Sequence, residues 1–148
     1  MNCSYIKTLF LLFILYINIL QVKSSKFSEF FAGTKYYIQV ANNLPPGSIL
    51  KVHCASKQTD IGFHDIVQND QIAWSFRETI FTDTLFFCHF WWGQKDKAFE
   101  VFNTYTGCIK NSPLDAHTHI CKWIVKADGF YLQGDPTVNP KFFNITPW

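Results

Sequence analysis

Five histidines, five cysteines and eleven acidic residues are the groups in this 148-residue chain able to move protons, bind metals or cross-link. Two of the histidines sit directly beside cysteines, in His53-Cys54 and Cys88-His89. A pair of histidines is the acid/base arrangement that a small secreted hydrolase of the ribonuclease kind would use. Period-two alternation instead turns each ring to the strand face away from its cysteine, and no Lys/Arg cluster able to hold phosphate lies beside either. His53 and His89 therefore read as ordinary strand residues, and His64 falls in a loop. The rings of His117 and His119 would point the same way in an extended segment, but only Asp115 is near enough to extend a ligand set. No G-x-S-x-G segment is present. The carboxylates of Asp60, Asp65, Asp70 and Glu78 are dispersed through turn-rich stretches, where such groups satisfy backbone donors. The reading is of a protein that is not an enzyme, with no metal and no cofactor.

The address of the chain is written at its N-terminus. Lys7 precedes the apolar run from Leu9 to Ile17, and Ser24-Ser25 supply a small-residue exit, as in a secretory signal peptide over residues 1–25. Asn18 and Gln21 cut that run well short of the roughly 20 residues needed to span a bilayer. Cleavage there leaves residues 26–148, enough for one domain with a sizeable core. Lys7 and Lys23 leave with the leader, so 11 basic residues face 11 acidic ones and the net charge falls to zero. No basic stripe for nucleic acid or anionic lipid remains. The mature chain is expected to be extracellular and monomeric, with no nucleic-acid partner and no direct membrane insertion.

Cys3 also belongs to the leader. Cys54, Cys88, Cys108 and Cys121 remain, an even number in an oxidising route, and they imply two disulfides. Their spacings of 34, 20 and 13 match no zinc pattern. Three connectivities are open; the one favoured joins Cys54 to Cys121 and Cys88 to Cys108, because the second pair would close the hairpin region at Lys97 to Phe102.

The elements that would carry these groups are short strands. Tyr36 to Asn42 is aromatic and β-branched and stops at Asn43-Leu44-Pro45-Pro46-Gly47. Leu50, Val52 and Cys54 alternate with Lys51, His53 and Ala55, and Ile72, Trp74 and Phe76 share the next face. Residues 85–92, Leu-Phe-Phe-Cys-His-Phe-Trp-Trp, read as a central strand covered on both faces. Adjacent residues of a strand face opposite ways, so at most one of Trp91 and Trp92 is free to stack on a sugar ring, and core packing is the reading for both. Ala98 to Phe102, Cys121 to Lys126 and Phe130 to Leu132 complete seven strands, the last two joined at Asp128-Gly129. Residues 103–120 form a long irregular connection bounded by cysteines, and the Pro/Asn-rich tail from Gln133 reads as extended. Asn144-Ile145-Thr146 is an N-glycosylation sequon, with Pro147 working against its occupancy. Seven strands at intervals of about ten residues, without an amphipathic helix or an internal repeat, make an antiparallel β-sandwich. An immunoglobulin domain is set aside, because 34 residues between Cys54 and Cys88 are too few for its usual bridge.

Three blocks together resemble the plant self-incompatibility S-protein homologues, first known from poppy pistils. Val52-His53-Cys54-Ala55-Ser56 with Asp60-Ile61-Gly62 is similar to the family's V-x-C-x-S segment and the acidic stretch after it. Trp74-Ser75-Phe76 with Thr84-Leu85-Phe86-Phe87-Cys88 is similar to its W-x-F and TLFxC pair, and Cys121-Lys122-Trp123-Ile124-Val125 with Asp128-Gly129-Phe130-Tyr131 to its closing block. Departures fall at Thr59-Asp60-Ile61, less acidic than is usual, and at Phe81-Thr82-Asp83, where a Trp-Gly pair is usual. The resemblance covers about residues 35–132. It implies a secreted two-disulfide sandwich acting as an extracellular signal, in poppy a pistil ligand recognised by a pollen membrane protein. The expected partner is thus a plasma-membrane receptor on a target cell. Rigid scaffolds carry recognition on loops, which points to residues 56–69, 78–83 and 103–120, with Lys57, Asp60, Arg77, Glu78 and Asp83 as exposed contacts. A hydrolase centred on His53 and His89 and a glycan-binding module are the alternatives.

Overall fold

The computed structural model describes residues 3–31, 33–78, 83–104, 107–115, 118–134 and 141–148. The chain divides into two compact units, Met1–Gly33 and Thr34–Trp148. The first contains one helix, α1 (Cys3–Phe31). Among the described residues no helix is long and apolar enough to cross a membrane.

The described residues of the second unit form nine strands: β1 (Thr34–Asn42), β2 (Ile49–Ala55), β3 (Asp60–Val67), β4 (Gln71–Glu78), β5 (Phe86–Trp92), β6 (Lys95–Phe102), β7 (Ile120–Lys126), β8 (Gly129–Gln133) and β9 (Phe142–Thr146). They form a five-stranded sheet in the order β4-β1-β7-β8-β9 and a four-stranded sheet in the order β3-β2-β5-β6. The all-β, two-disulfide sandwich expected from the sequence is present, with one departure: β1 and β7 pair in parallel, so the sandwich is not wholly antiparallel.

Alternation sets the core. Tyr36, Ile38 and Val40 of β1 turn inward with Leu50, Val52 and Cys54 of β2, Phe86, Cys88 and Phe90 of β5, and Trp123 and Val125 of β7. Trp123 is fully buried and donates its indole N–H to the Val101 carbonyl at 3.0 Å, which satisfies the polar end of the largest core side chain. Asn42, also buried, donates to the Ile66 carbonyl at 2.7 Å while its Oδ1 accepts the Leu44 N–H at 2.9 Å. It thereby pins the turn after β1 to β3 of the opposite sheet.

Two strands were not legible. The segment 56–69, expected as a loop, is largely β3. Its Phe63 points out and its His64 lies on the inner side, so the apolar pattern is inverted, and Gly62 opposite Cys54 marks a bulge. The C-terminal tail is not merely extended: β9 pairs with β8, and Trp148 packs on Phe130 at 4.6 Å. Gly129 makes that approach possible, since a Cβ there would meet the Thr146 carbonyl oxygen at 2.6 Å.

The disulfides correct the expected connectivity. Cys54 is bonded to Cys88, and Cys108 to Cys121. Cys54 and Cys88 are direct partners across β2 and β5 with Cα atoms 4.1 Å apart, close enough for a cross-strand bridge on the inner face. The partners expected for them lie elsewhere in the fold, Cys121 on β7 of the other sheet and Cys108 in the connection after β6. Cys108–Cys121 ties the chain after β6 to the start of β7.

Candidate functional site

A two-layer sandwich leaves each sheet one wet face, and this corrects the expectation for β5. Phe86, Cys88 and Phe90 are buried inward, but Phe87 is 44% exposed and His89 and Trp91 are half-buried on the outer side. Trp92, on the inner side, donates its indole N–H to Ser48 Oγ at 3.2 Å and sits 5.8 Å from Trp148. The most apolar strand of the protein therefore presents aromatic side chains to solvent.

Register brings the outward residues of four strands together. His53 of β2 lies directly opposite His89 of β5, with Phe63 of β3 on one side and Ala98 of β6 on the other. The adjacent row runs Asp65, Lys51, Trp91, Asp96. His53 stacks on Phe63 at 4.3 Å, His89 stacks on Trp91 at 3.9 Å, and Phe63 lies 6.0 Å from Trp91, so four rings form one stack across three strands. Each imidazole donates through Nε2 to a carboxylate, His53 to Asp60 at 2.8 Å and His89 to Asp96 at 3.0 Å. Asp60 Oδ1 also accepts the Gly62 N–H at 2.9 Å; that backbone bond, with His53 second, lowers the pKa of Asp60. Asp96 joins the cluster because the β5–β6 turn is only Gly93-Gln94 and β6 begins at Lys95, whereas the sequence pattern opened that strand only at Ala98.

The candidate contacts of the sequence analysis do not form one site. Lys57 and Asp60 are exposed at the β2–β3 turn, and Arg77 is exposed on β4 of the other sheet. Glu78 was expected to be exposed and is only 5% so. It points inward with Ile72, Trp74 and Phe76, accepts the Thr84 N–H at 2.8 Å, and burial raises its pKa against the opposing effect of that bond. Asp83 is exposed, while residues 79–82 of the same expected loop lie outside the described residues. His117 and parts of the 103–120 connection lie outside them too; His119 packs edge-on to Tyr36 at 5.4 Å. Among the described residues no three His, Cys, Asp or Glu side chains converge to hold a metal. Asn144 is exposed on β9, its amide donating to the Tyr131 hydroxyl at 3.3 Å on the outer face of the five-stranded sheet.

The His53–His89 pair was hidden by the cysteine connectivity. Once Cys54 faces Cys88 on antiparallel strands, the residue before the first must face the residue after the second. Choosing that bridge would have placed both histidines together from sequence alone.

Residues 37–145 match the family model for plant self-incompatibility protein S1. S-protein homolog 29 of Arabidopsis thaliana is 31% identical over 114 residues, covering 77% of this chain and 78% of its own. S-protein homolog 24 of the same plant is 29% identical over 150 residues, with 95% and 91% covered. Among solved structures, one from a family of small, highly stable, secreted plant self-incompatibility protein homologues aligns at a TM-score of 0.50 and 17% identity. It covers 78% of this chain and 91% of that one, a likeness of fold.

Proposed function

The chain belongs to the plant self-incompatibility protein S1 family, and we propose that it is a secreted, non-enzymatic signalling ligand recognised by a receptor on the surface of a target cell. Residues 1–25 act as the signal peptide, and the exported domain works as a monomer. The observation that carries this reading is the outer face of β3-β2-β5-β6. A sheet face that carries Phe63 at 68% exposure together with Phe87 and Trp91 is an unusual concentration of apolar surface, and such surfaces mark contact sites. The Cys54–Cys88 bridge lies directly beneath it and holds the two central strands in register. The recognition surface thus shifts from the loops favoured by the sequence to the sheet itself, with Lys57 and Asp60 at its rim. The secreted character of the solved homologue supports export of this one.

The test has two parts. Full-length protein carrying a C-terminal tag is expressed in plant cells; recovery from the extracellular wash with an N-terminus near residue 26 is expected, and retention in the cell would refute secretion. The secreted protein is then applied to pollen tubes and other plant cells while growth and calcium are followed; silence in every cell type would refute the signalling role.

The His53–Asp60 and His89–Asp96 pairs keep the hydrolase reading specific enough to test. A nuclease activity present in the parent and lost in the His53→Gln/His89→Gln double variant would replace the ligand assignment. Binding on a glycan array that vanishes with Trp91→Ala would favour the sugar-binding alternative.

A further inference from the structure

The charge on the outer face of β3-β2-β5-β6 narrows the kind of partner it takes. Among the described residues its outward strand positions carry Asp60, Asp65, Asp96 and Glu100 against Lys51, a formal charge of −3 with the histidines neutral, or −2 when Lys57 at the rim is counted. Lys51 is 3.7 Å from Asp65 and matches that carboxylate only loosely. The opposite outer face carries Lys35, Arg77, Lys122 and Lys126 with Asp128 at its margin. A mature chain of zero net charge is therefore strongly polarised, with its exposed aromatic stack on the acidic side.

The protein displays on its own surface what such a stack can accept. On the five-stranded sheet Lys126 Nζ lies 4.4 Å from the Tyr131 ring centre and 4.9 Å from that of Phe142, beside the Asp128 carboxylate. Lys35 lies 4.8 Å from the Tyr37 ring in the same way. Among the described residues no cation lies over Phe63, Phe87 or Trp91. Aromatic rings bordered by carboxylates favour Lys or Arg, through the ring quadrupole and charge pairing together.

We propose that this face binds a Lys/Arg-bearing segment of a protein partner, the partner's cations entering between the Phe63/Trp91 stack and the carboxylates of Asp65 and Asp96. This rests on the ligand reading and names the chemistry of the receptor patch. A second copy of the chain is the weaker occupant, because Lys35 and Lys126 of the opposite face already lie over their own rings.

The test titrates the secreted protein with nona-arginine, nona-glutamate and a Gly/Ser peptide of equal length at low salt. Nona-arginine alone is expected to bind, weakening with salt as exposed charges are screened. Asp65→Asn/Asp96→Asn and Trp91→Ala should each weaken binding by about tenfold or more, while Lys122→Gln on the opposite face leaves it unchanged. Unaltered thermal midpoints show that the variants are folded. Equal binding of nona-glutamate, or no effect of Asp65→Asn/Asp96→Asn, would overturn the proposal. So would concentration-dependent self-association that Asp65→Asn/Asp96→Asn abolishes, which would assign the face to a second copy. If Trp91→Ala silences the cellular response while nona-arginine never binds, the cationic occupant fails and the ligand reading stands. If nona-arginine binds as expected and no cell responds, the occupant stands and the ligand reading fails.

Discussion

On the outer face of the five-stranded sheet, Lys35 and Lys126 lie over tyrosine and phenylalanine rings of their own chain. Across the sandwich, the rings of Phe63 and Trp91 stack on histidines, and those histidines are held by aspartates. The same residue types thus make one face where Lys35 and Lys126 lie over rings of their own chain and another where, among the described residues, no cation covers Phe63 or Trp91 and the paired carboxylates of Asp60, Asp65 and Asp96 stay largely exposed. A ring already covered by a cation is closed, whereas an ordered ring bordered by exposed carboxylates is available for recognition. The open face is also the one with a disulfide between its two central strands.

The largest way to break this difference is to remove the bridges separately. Cys54→Ala/Cys88→Ala opens a 34-residue loop and should cost about 4 kcal/mol in the chain-entropy treatment. Cys108→Ala/Cys121→Ala opens a 13-residue loop and should cost about 3 kcal/mol. Urea unfolding of both variants checks the order, and only the first should disturb the near-ultraviolet signal of the Trp91 stack.

Next in size is Gly129→Ala. Its Cβ would meet the Thr146 carbonyl at 2.6 Å, so β9 must move; a loss of about 2 kcal/mol is expected by thermal melting. Because β9 belongs to the five-stranded sheet, receptor or peptide binding at the other face should persist. Lys126→Ala removes two cation–π contacts and should cost about 1 kcal/mol or less, again without effect on the open face.

The smallest effect depends on pH. Burial raises the folded-state pKa of Glu78 above its ordinary 4.5, so this group favours the folded state most at acid pH, and that contribution is lost as pH rises through the folded value. Glu78→Gln should therefore raise the melting midpoint at pH 7 relative to the parent, with the difference disappearing below pH 4.5. Asp60 has the opposite sign: its lowered pKa contributes stability above the ordinary 3.8, lost as pH falls through the folded value.

Most of the scaffold was readable because seven strands bury regular alternating faces, as Leu50-Val52-Cys54 and Ile72-Trp74-Phe76 do. β3 was not, since an edge strand with Phe63 outward and His64 inward carries no such alternation. β9 was not, because its fit depends on a close approach to Gly129 that no local pattern records. The site itself was readable only in pieces. His53, His89 and Trp91 stood out as residues, but their meeting depends on the register of β2 against β5, a long-range quantity. The assumption that an aromatic strand must be covered on both sides then concealed the exposed face, and Glu78 looked exposed because its charge hid its inward phase.

The most direct test compares binding of labelled secreted protein to target-cell plasma membranes after paired substitutions on each face. Phe63→Ala/Trp91→Ala alters exposed or half-exposed side chains of the open face, and Tyr37→Ala/Lys122→Ala does the same opposite. Binding should fall by about tenfold or more with the first pair and stay at the parental level with the second. Loss confined to the second pair, or equal binding by both, would contradict the assignment of recognition to the β3-β2-β5-β6 face.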